Sequence, residues 1–383
     1  MIKDICKSLI TKYFLKRPVY NYYKTKFNKN LLISYITYPF NRGINYFHTN
    51  MIESIKISEV FKDLEFNIDV VDYDYTGSIN YLKYDMIFGF GNPLVKCFYN
   101  RNKKIKTIYY GTGMHLCHQN HMTLRRIKDV YIKTGNWLPE SGRIVEKTWS
   151  IQTTLVDAMI LLGNKIVEQS YRRYYDGSIY LLNPSFIEVI SQENAIKITQ
   201  DKDFDDAKKN FLWFGSSGLI HKGLDLLLDF FKKRNDLQLH ICGPINKETN
   251  FRRTFFNELY NYPNIHTYGF ISIKSELFKE LMKKCGFIVF PSCSEGGAAV
   301  LNCMANGLIP IVTDYASIET KDFGVIIKGF KEEDILEAIN FSIAIESKKL
   351  QEMALKSLIY TRKNHNVNIF KSNFKKIIDN ILQ

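Results

Sequence analysis

Short apolar, β-prone runs alternate with longer amphipathic stretches along most of this chain. In the first half the runs fall at 31–37, 67–71, 85–90, 106–110, 158–162 and 179–182. A polar interval at 191–210, with acids crowded into 201–206, reads as a linker. The alternation then restarts at 211–214, 238–242, 265–268, 287–290, 309–313 and 324–327. Between the runs, Leu224, Leu227, Leu228 and Phe231 make one helical face. Ser275 is placed to cap a helix bearing Leu277, Phe278, Leu281 and Met282. A last stripe joins Phe370, Phe374, Ile377, Ile378 and Ile381. Strand and helix alternating in this way predict an α/β fold, with parallel sheets covered by helices on both faces and two doubly wound domains in tandem.

A length of 383 residues suits two cores better than one. No run reaches the roughly 18–20 apolar residues of a membrane span, and lysines interrupt the N-terminal apolar residues, so no secretory signal forms. The cysteines are odd in number and none forms a C-x-x-C pair. This predicts reduced thiols and a cytoplasmic setting. Charge changes the picture more. Residues 1–30 carry Lys3, Lys7, Lys12, Lys16, Arg17, Lys24, Lys26 and Lys29 against Asp4, a net +7 of the chain's +13, interleaved with tyrosines and phenylalanines. Such a leader suits the anionic inner face of a plasma membrane. The competing readings are a solvated basic tail and nucleic-acid binding, but no recognition motif supports the latter.

Ligands of open α/β sheets bind beyond the carboxyl ends of strands, so the turns there hold the candidate chemistry. The turn Gly215-Ser216-Ser217-Gly218-Leu219-Ile220-His221-Lys222-Gly223 offers small residues and a lysine to an anion, without the Gly-Lys-Ser/Thr of a Walker loop. Gly243, in Cys242-Gly243-Pro244, and Phe270, in Tyr268-Gly269-Phe270-Ile271, mark two further strand exits. The richest stretch is Pro291-Ser292-Cys293-Ser294-Glu295-Gly296-Gly297-Ala298-Ala299, where a strand ends in an acid and small residues open a helix. The amides of such a helix start suit a diphosphate.

These motifs resemble the group-one, or family-four, retaining glycosyltransferases of the GT-B superfamily. Lys222-Gly223, Ser294-Glu295-Gly296 and Met304-Ala305-Asn306-Gly307-Leu308-Ile309-Pro310 carry the likeness. The resemblance implies two facing Rossmann-like domains and transfer of a sugar from a nucleotide sugar to a glycan or lipid-linked acceptor. It implies surface polysaccharide or glycolipid synthesis without a metal or cofactor. It places Lys222 on the donor diphosphate and Glu295 on the transferred sugar. Gly215, Ser216, Gly243, Phe270, Gly296, Gly297, Ala298 and Asn302 complete the expected donor site. His115, in Tyr109-Tyr110-Gly111-Thr112-Gly113-Met114-His115, is expected to face the donor sugar, and Arg42 to reach a phosphate or an anionic acceptor. Two positions depart from the family. Ser216, Ser217 and Gly218 stand where an arginine is usual, and Asn302 stands near the place of a ribose-binding glutamate. Expected boundaries are a leader at 1–30, domains at 31–190 and 211–365, the linker at 191–210, and a helix at 366–383 packing back on the first domain.

Other readings compete. His115, Cys117, His118 and His121 are metal-ligand types with no second pair to complete a zinc site. Asp72-Tyr73-Asp74 spells a metal-binding D-x-D, though acidic pairs at strand ends are common. A sugar-nucleotide epimerase and a non-catalytic partner subunit share the expected fold.

Overall fold

The computed structural model describes residues 16–46, 48–99, 105–294 and 297–383. The first sheet holds β1 (Lys29–Tyr35), β2 (Phe66–Asp72), β3 (Met86–Gly89), β4 (Lys106–Gly111), β5 (Ala158–Leu162) and β6 (Ser178–Leu182). Their order is β2-β1-β3-β4-β5-β6, every pairing parallel. The second sheet holds β7 (Asn210–Phe214), β8 (Gln238–Cys242), β9 (Ile265–Gly269), β10 (Phe287–Phe290), β11 (Ile309–Thr313) and β12 (Val325–Ile327). Its order is β12-β11-β10-β7-β8-β9, again parallel. Helices cover both faces of a doubly wound sheet, so its central strands read as unbroken apolar runs. All five residues of β5 and all four of β10 are buried.

Each sheet has a point where the strand order reverses, between β1 and β3 in the first and between β7 and β10 in the second. The crevice at such a point is where an open α/β sheet admits a ligand.

Three segments sit differently from their sequence-based reading. Residues 1–15 of the expected leader lie outside the described residues, but 16–30 dock on the edge of the first sheet. Val19 bridges Val70 antiparallel, and the Asn21 amide donates to Asp69 Oδ1 at 2.7 Å. Lys16 pairs with Asp72 at 2.8 Å and Asp74 at 3.0 Å, so the D-x-D holds a lysine ammonium. The interval 191–210 is no coil. It forms helices Gln192–Gln200 and Phe204–Ala207, whose Ala195, Thr199, Phe204 and Ala207 are buried. Exposed acids on their outer faces hide this one-sided pattern. Finally, the helix Leu116–Thr134 follows β4 of the first sheet, yet its Ile127 and Val130 belong to the core of the second domain.

The last helix, Val367–Leu382, returns to the first domain. Phe370, Phe374, Ile378 and Ile381 join Phe61 and Phe88 in its core, and Lys371 pairs with Glu59 at 2.9 Å. Burial of these four side chains contributes roughly 1.5–3 kcal/mol each to docking the helix on the first domain. The chain crosses between domains at 183–190 and again at 365–366, and the crossings lie together. The Phe186 amide donates to the His365 carbonyl, and the His365 ring donates from Nδ1 to the Pro184 carbonyl at 2.8 Å. Among the described residues no helix is long and apolar enough to cross a membrane.

Candidate active site

The carboxyl ends of the two sheets face each other across a cavity of about 510 Å³. Tyr35 and Tyr110 reach it from β1 and β4, and Phe214 and Cys242 from β7 and β8. Both switch points open into this one space, a volume that suits a nucleotide-sized ligand.

On the second-domain side, the turn after β7 is built over Trp213. The fully buried indole donates from Nε1 to the Lys222 carbonyl at 3.2 Å. A Cβ on Gly215 would lie 2.9 Å from that ring, and one on Gly243 2.6 Å from it. Both glycines are therefore packing requirements of the indole. Gly215 also lines the cavity with Ser216, whereas Gly243 sits beneath and donates its amide to the Gly269 carbonyl. Gly223, with φ of +70°, lets the Lys222 turn lie against Pro291 of the turn after β10, where a side chain would strike the Pro291 carbonyl. His221 ties these turns together. Its Nε2–H donates to the Ser294 carbonyl at 2.6 Å, which leaves Nδ1 to accept from Thr123 Oγ1 at 2.8 Å.

Lys222 lines the cavity, and its ammonium donates to the Ser217 carbonyl at 2.5 Å. Burial, helped by the Arg143 guanidinium, holds its pKa well below the usual lysine range, with Glu248 opposing. Glu248 is itself buried and accepts from the Gly218 and Leu219 amides at 2.5 and 3.1 Å. Two amides that the sequence reading offers to an anion are thus held by a protein carboxylate. Arg143 lines the same cavity. His48 faces it too, its pKa pushed down to about 4 by burial and then by Arg143 and Lys222. The site gathers positive charge from both domains.

The other expected residues divide. Gly297 and Ala298 open the helix Gly297–Met304 and line the cavity, as does Phe270 on the rim. Glu295 and Gly296 lie outside the described residues. Asn302 lines the cavity, but its side chain is engaged. Oδ1 accepts from the Ile187 amide at 2.8 Å, and Nδ2 donates to the Ala298 carbonyl at 2.9 Å. It fastens the helix to the first interdomain crossing, where a ribose diol was expected. His115 also sits elsewhere than expected. It caps the helix Leu116–Thr134 by accepting the Cys117 amide on Nδ1, bonds Thr153 Oγ1 through Nε2 at 2.9 Å, and stacks on Tyr174. Both ring nitrogens are occupied, the residue is 1% exposed, and it is not part of the cavity wall. Burial drives its pKa down to about 4. Arg42 is exposed and outside the cavity wall as well. Among the described residues no three His, Cys, Asp or Glu side chains cluster as metal ligands.

Among the cavity residues that the sequence motifs do not mark, four carry polar groups of particular interest. Arg143 is one. The others are Asn50, Glu53 and Tyr110 on the first-domain wall. Glu53 is 1% exposed, accepts the Ser185 amide and hydroxyl at 2.8 Å, and has its pKa raised to about 7 by burial. Tyr110 Oη and Asn50 Oδ1 are buried without a hydrogen-bond partner, so a ligand hydroxyl can satisfy them. No local signal marks these residues, since each lies inside an ordinary apolar strand, helix or loop.

Two doubly wound α/β domains facing across one cleft, with the second sheet's switch point at its floor, define the GT-B class. Residues 196–357 match the family described as glycosyl transferases group 1. That match lies within the second domain, which is similar to the group 1 glycosyltransferases. No curated protein sequence matches it. Among solved structures it is similar to Anabaena HepE in complex with UDP and glucose, at 11% identity and a TM-score of 0.57, covering 92% of this chain and 99% of that one. It is also similar to the lipopolysaccharide outer core galactosyltransferase WaaB, at 14% identity and a TM-score of 0.58, with coverage of 92% and 99%. A UDP-forming α,α-trehalose-phosphate synthase from Burkholderia xenovorans aligns at 10% identity and a TM-score of 0.54, over 87% of this chain and 79% of that one.

Proposed function

We propose that this protein transfers a glycosyl group from a nucleotide sugar to a hydroxyl of a glycan or lipid-linked acceptor, with retention at the anomeric carbon and without a metal. The observation that carries the reading is Lys222, held at the second sheet's switch point beside the N-terminus of the Gly297–Met304 helix, both on the cavity wall. A cation and a helix start together match a diphosphate. In the step proposed, the bond from the anomeric carbon to the β-phosphate oxygen breaks and its electron pair stays on the diphosphate. The acceptor oxygen bonds the same carbon on the same face, and its proton passes to the departing phosphate oxygen. Lys222 meets the charge that develops there. Glu295 is assigned the transferred sugar, and Asn50, Glu53 and Tyr110 the acceptor's hydroxyls. The product class is a surface polysaccharide or glycolipid, made at the inner face of the membrane.

HepE, solved with UDP and glucose, makes UDP-sugars the first donors to try. Calorimetric titration with UDP-, GDP-, ADP- and dTDP-sugars, with and without EDTA, tests the reading. One nucleotide binding saturably in EDTA, with a new glycoside formed on added acceptor, is the expected result. An epimerised donor makes the protein an epimerase. Absence of binding to all four supports a partner subunit, a reading favoured by the engagement of Asn302 with Ile187.

A further inference from the structure

We propose that Arg143, carried by the first domain, reaches across the cleft to bind the donor diphosphate beside Lys222. This inference rests on the donor-site reading above. The turn that holds Lys222 contains no arginine of its own. It contains Gly218 instead, at φ of +91°, and the Arg143 stem lies over it. A Cβ on Gly218 would fall 2.7 Å from Arg143 Cγ and 3.0 Å from Cδ. The missing side chain at 218 is the space the arginine passes through. Larger residues are excluded there twice, by the backbone angle and by the stem.

The arginine's path is set from both domains: two residues before it, the Ser141 carbonyl accepts from the Ile220 and His221 amides at 3.1 and 3.2 Å. Gln119 Nε2 donates to the Arg143 carbonyl at 2.5 Å, and Asn120 exchanges two hydrogen bonds with the backbone of Val145 at 2.8 and 2.9 Å. Both side chains project from the helix Leu116–Thr134, which is fastened to the second domain through Thr123 and His221. His221 immediately precedes Lys222. One helix therefore holds Arg143 on one side and the Lys222 turn on the other, which fixes the separation of the two cations. Arg143 and Lys222 share the cavity wall, and the field of the guanidinium disfavours the lysine's charge. An anion between them relieves that repulsion. A guanidinium binds phosphate through paired N–H donors, which an ammonium does not. A diphosphate so placed bridges the domains, and donor binding then holds the cleft closed.

The test is titration of the full-length protein with UDP, GDP, ADP and dTDP, and with the matching nucleosides, for wild type, Arg143→Met and Arg143→Lys. Loss of a charge-assisted contact should weaken the preferred diphosphate about ten- to a hundredfold in Arg143→Met. Arg143→Lys should be intermediate. Nucleoside affinity and melting temperature should stay as in wild type, which separates a phosphate contact from a structural role. Wild-type diphosphate affinity in Arg143→Met overturns the inference and leaves the donor site standing. Equal losses for nucleoside and diphosphate overturn it too. If wild type binds none of the diphosphates, the donor-site reading fails and the inference falls with it. Should Arg143→Met not fold, Arg143→Lys against Arg143→Gln decides by the same comparison.

Discussion

Arg126 and Asp225 close an ion pair across the domain boundary, Nη2 to Oδ2 at 2.5 Å, with side chains only 3% and 4% exposed. Arg126 belongs to the helix that follows β4, and Asp225 to the helix that follows the Lys222 turn. Lys133 and Asp229 pair further along the same two helices. The domains of this protein are joined by a packed, charged helix contact as well as by two chain crossings.

Removing one partner of a buried pair strands the other charge. Arg126→Met should therefore destabilise the fold by about 3–5 kcal/mol, and the double variant Arg126→Met, Asp225→Leu by less than either single. Urea unfolding followed by tryptophan fluorescence, which includes the buried Trp213, measures both. Additive losses in the double variant would show that the two side chains do not act as a pair.

Glu53 gives a pH dependence of known sign. Its pKa is raised to about 7 by burial, above an unfolded carboxyl near 4.5. The stability it supports is full below about pH 4.5, because both states are protonated there. It is lost as the pH rises through about 7, because only the folded state must then hold its proton or bury a charge. The loss is roughly 3 kcal/mol. Glu53→Gln keeps an oxygen for the Ser185 amide and should flatten this slope. Parallel wild-type and variant denaturation curves from pH 4.5 to 8 would remove Glu53 as its source.

Diphosphate binding should raise the Lys222 pKa, with proton uptake only in the pH range between its free and bound values. Burial holds its pKa well below the ordinary value, and an anion restores the charged form. Affinity should then fall as pH rises through that range, and the binding enthalpy there should change with the ionisation enthalpy of the buffer. Lys222→Met should weaken binding and abolish the buffer dependence. A buffer dependence that survives in Lys222→Met assigns the proton to another group.

Asn302→Ala should cost about 1–3 kcal/mol of stability by leaving the buried Ile187 amide without its acceptor. Nucleotide affinity should change little, since the side chain is engaged within the protein. A large loss of affinity with unchanged stability would return Asn302 to the ribose.

The pattern of apolar runs was enough to place both sheets, because a strand buried on both faces must be apolar throughout and must be punctuated by small residues where it turns. Lys222, Gly215 and Gly297 were legible for the same reason. Lys222 and Gly215 share a turn whose small residues close packing demands, as Trp213 demands Gly215, and Gly297 opens the helix after β10. The helices at 192–207 were read as linker because their buried positions are few and their acids many.

What the sequence determined by itself was local: periodicity, turn chemistry, and the tandem of two parallel α/β units with a cation at the second switch point. Tertiary structure decided where individual side chains end. His115 and Asn302 have the right residue types on the right elements, yet one caps a helix beside Tyr174 and the other holds the Ile187 amide. Arg126 finds Asp225 across 99 residues, and Arg143 finds the gap over Gly218. Such contacts leave no mark in a local window. They depend on how the two domains dock, and docking is set by the summed shape of both surfaces.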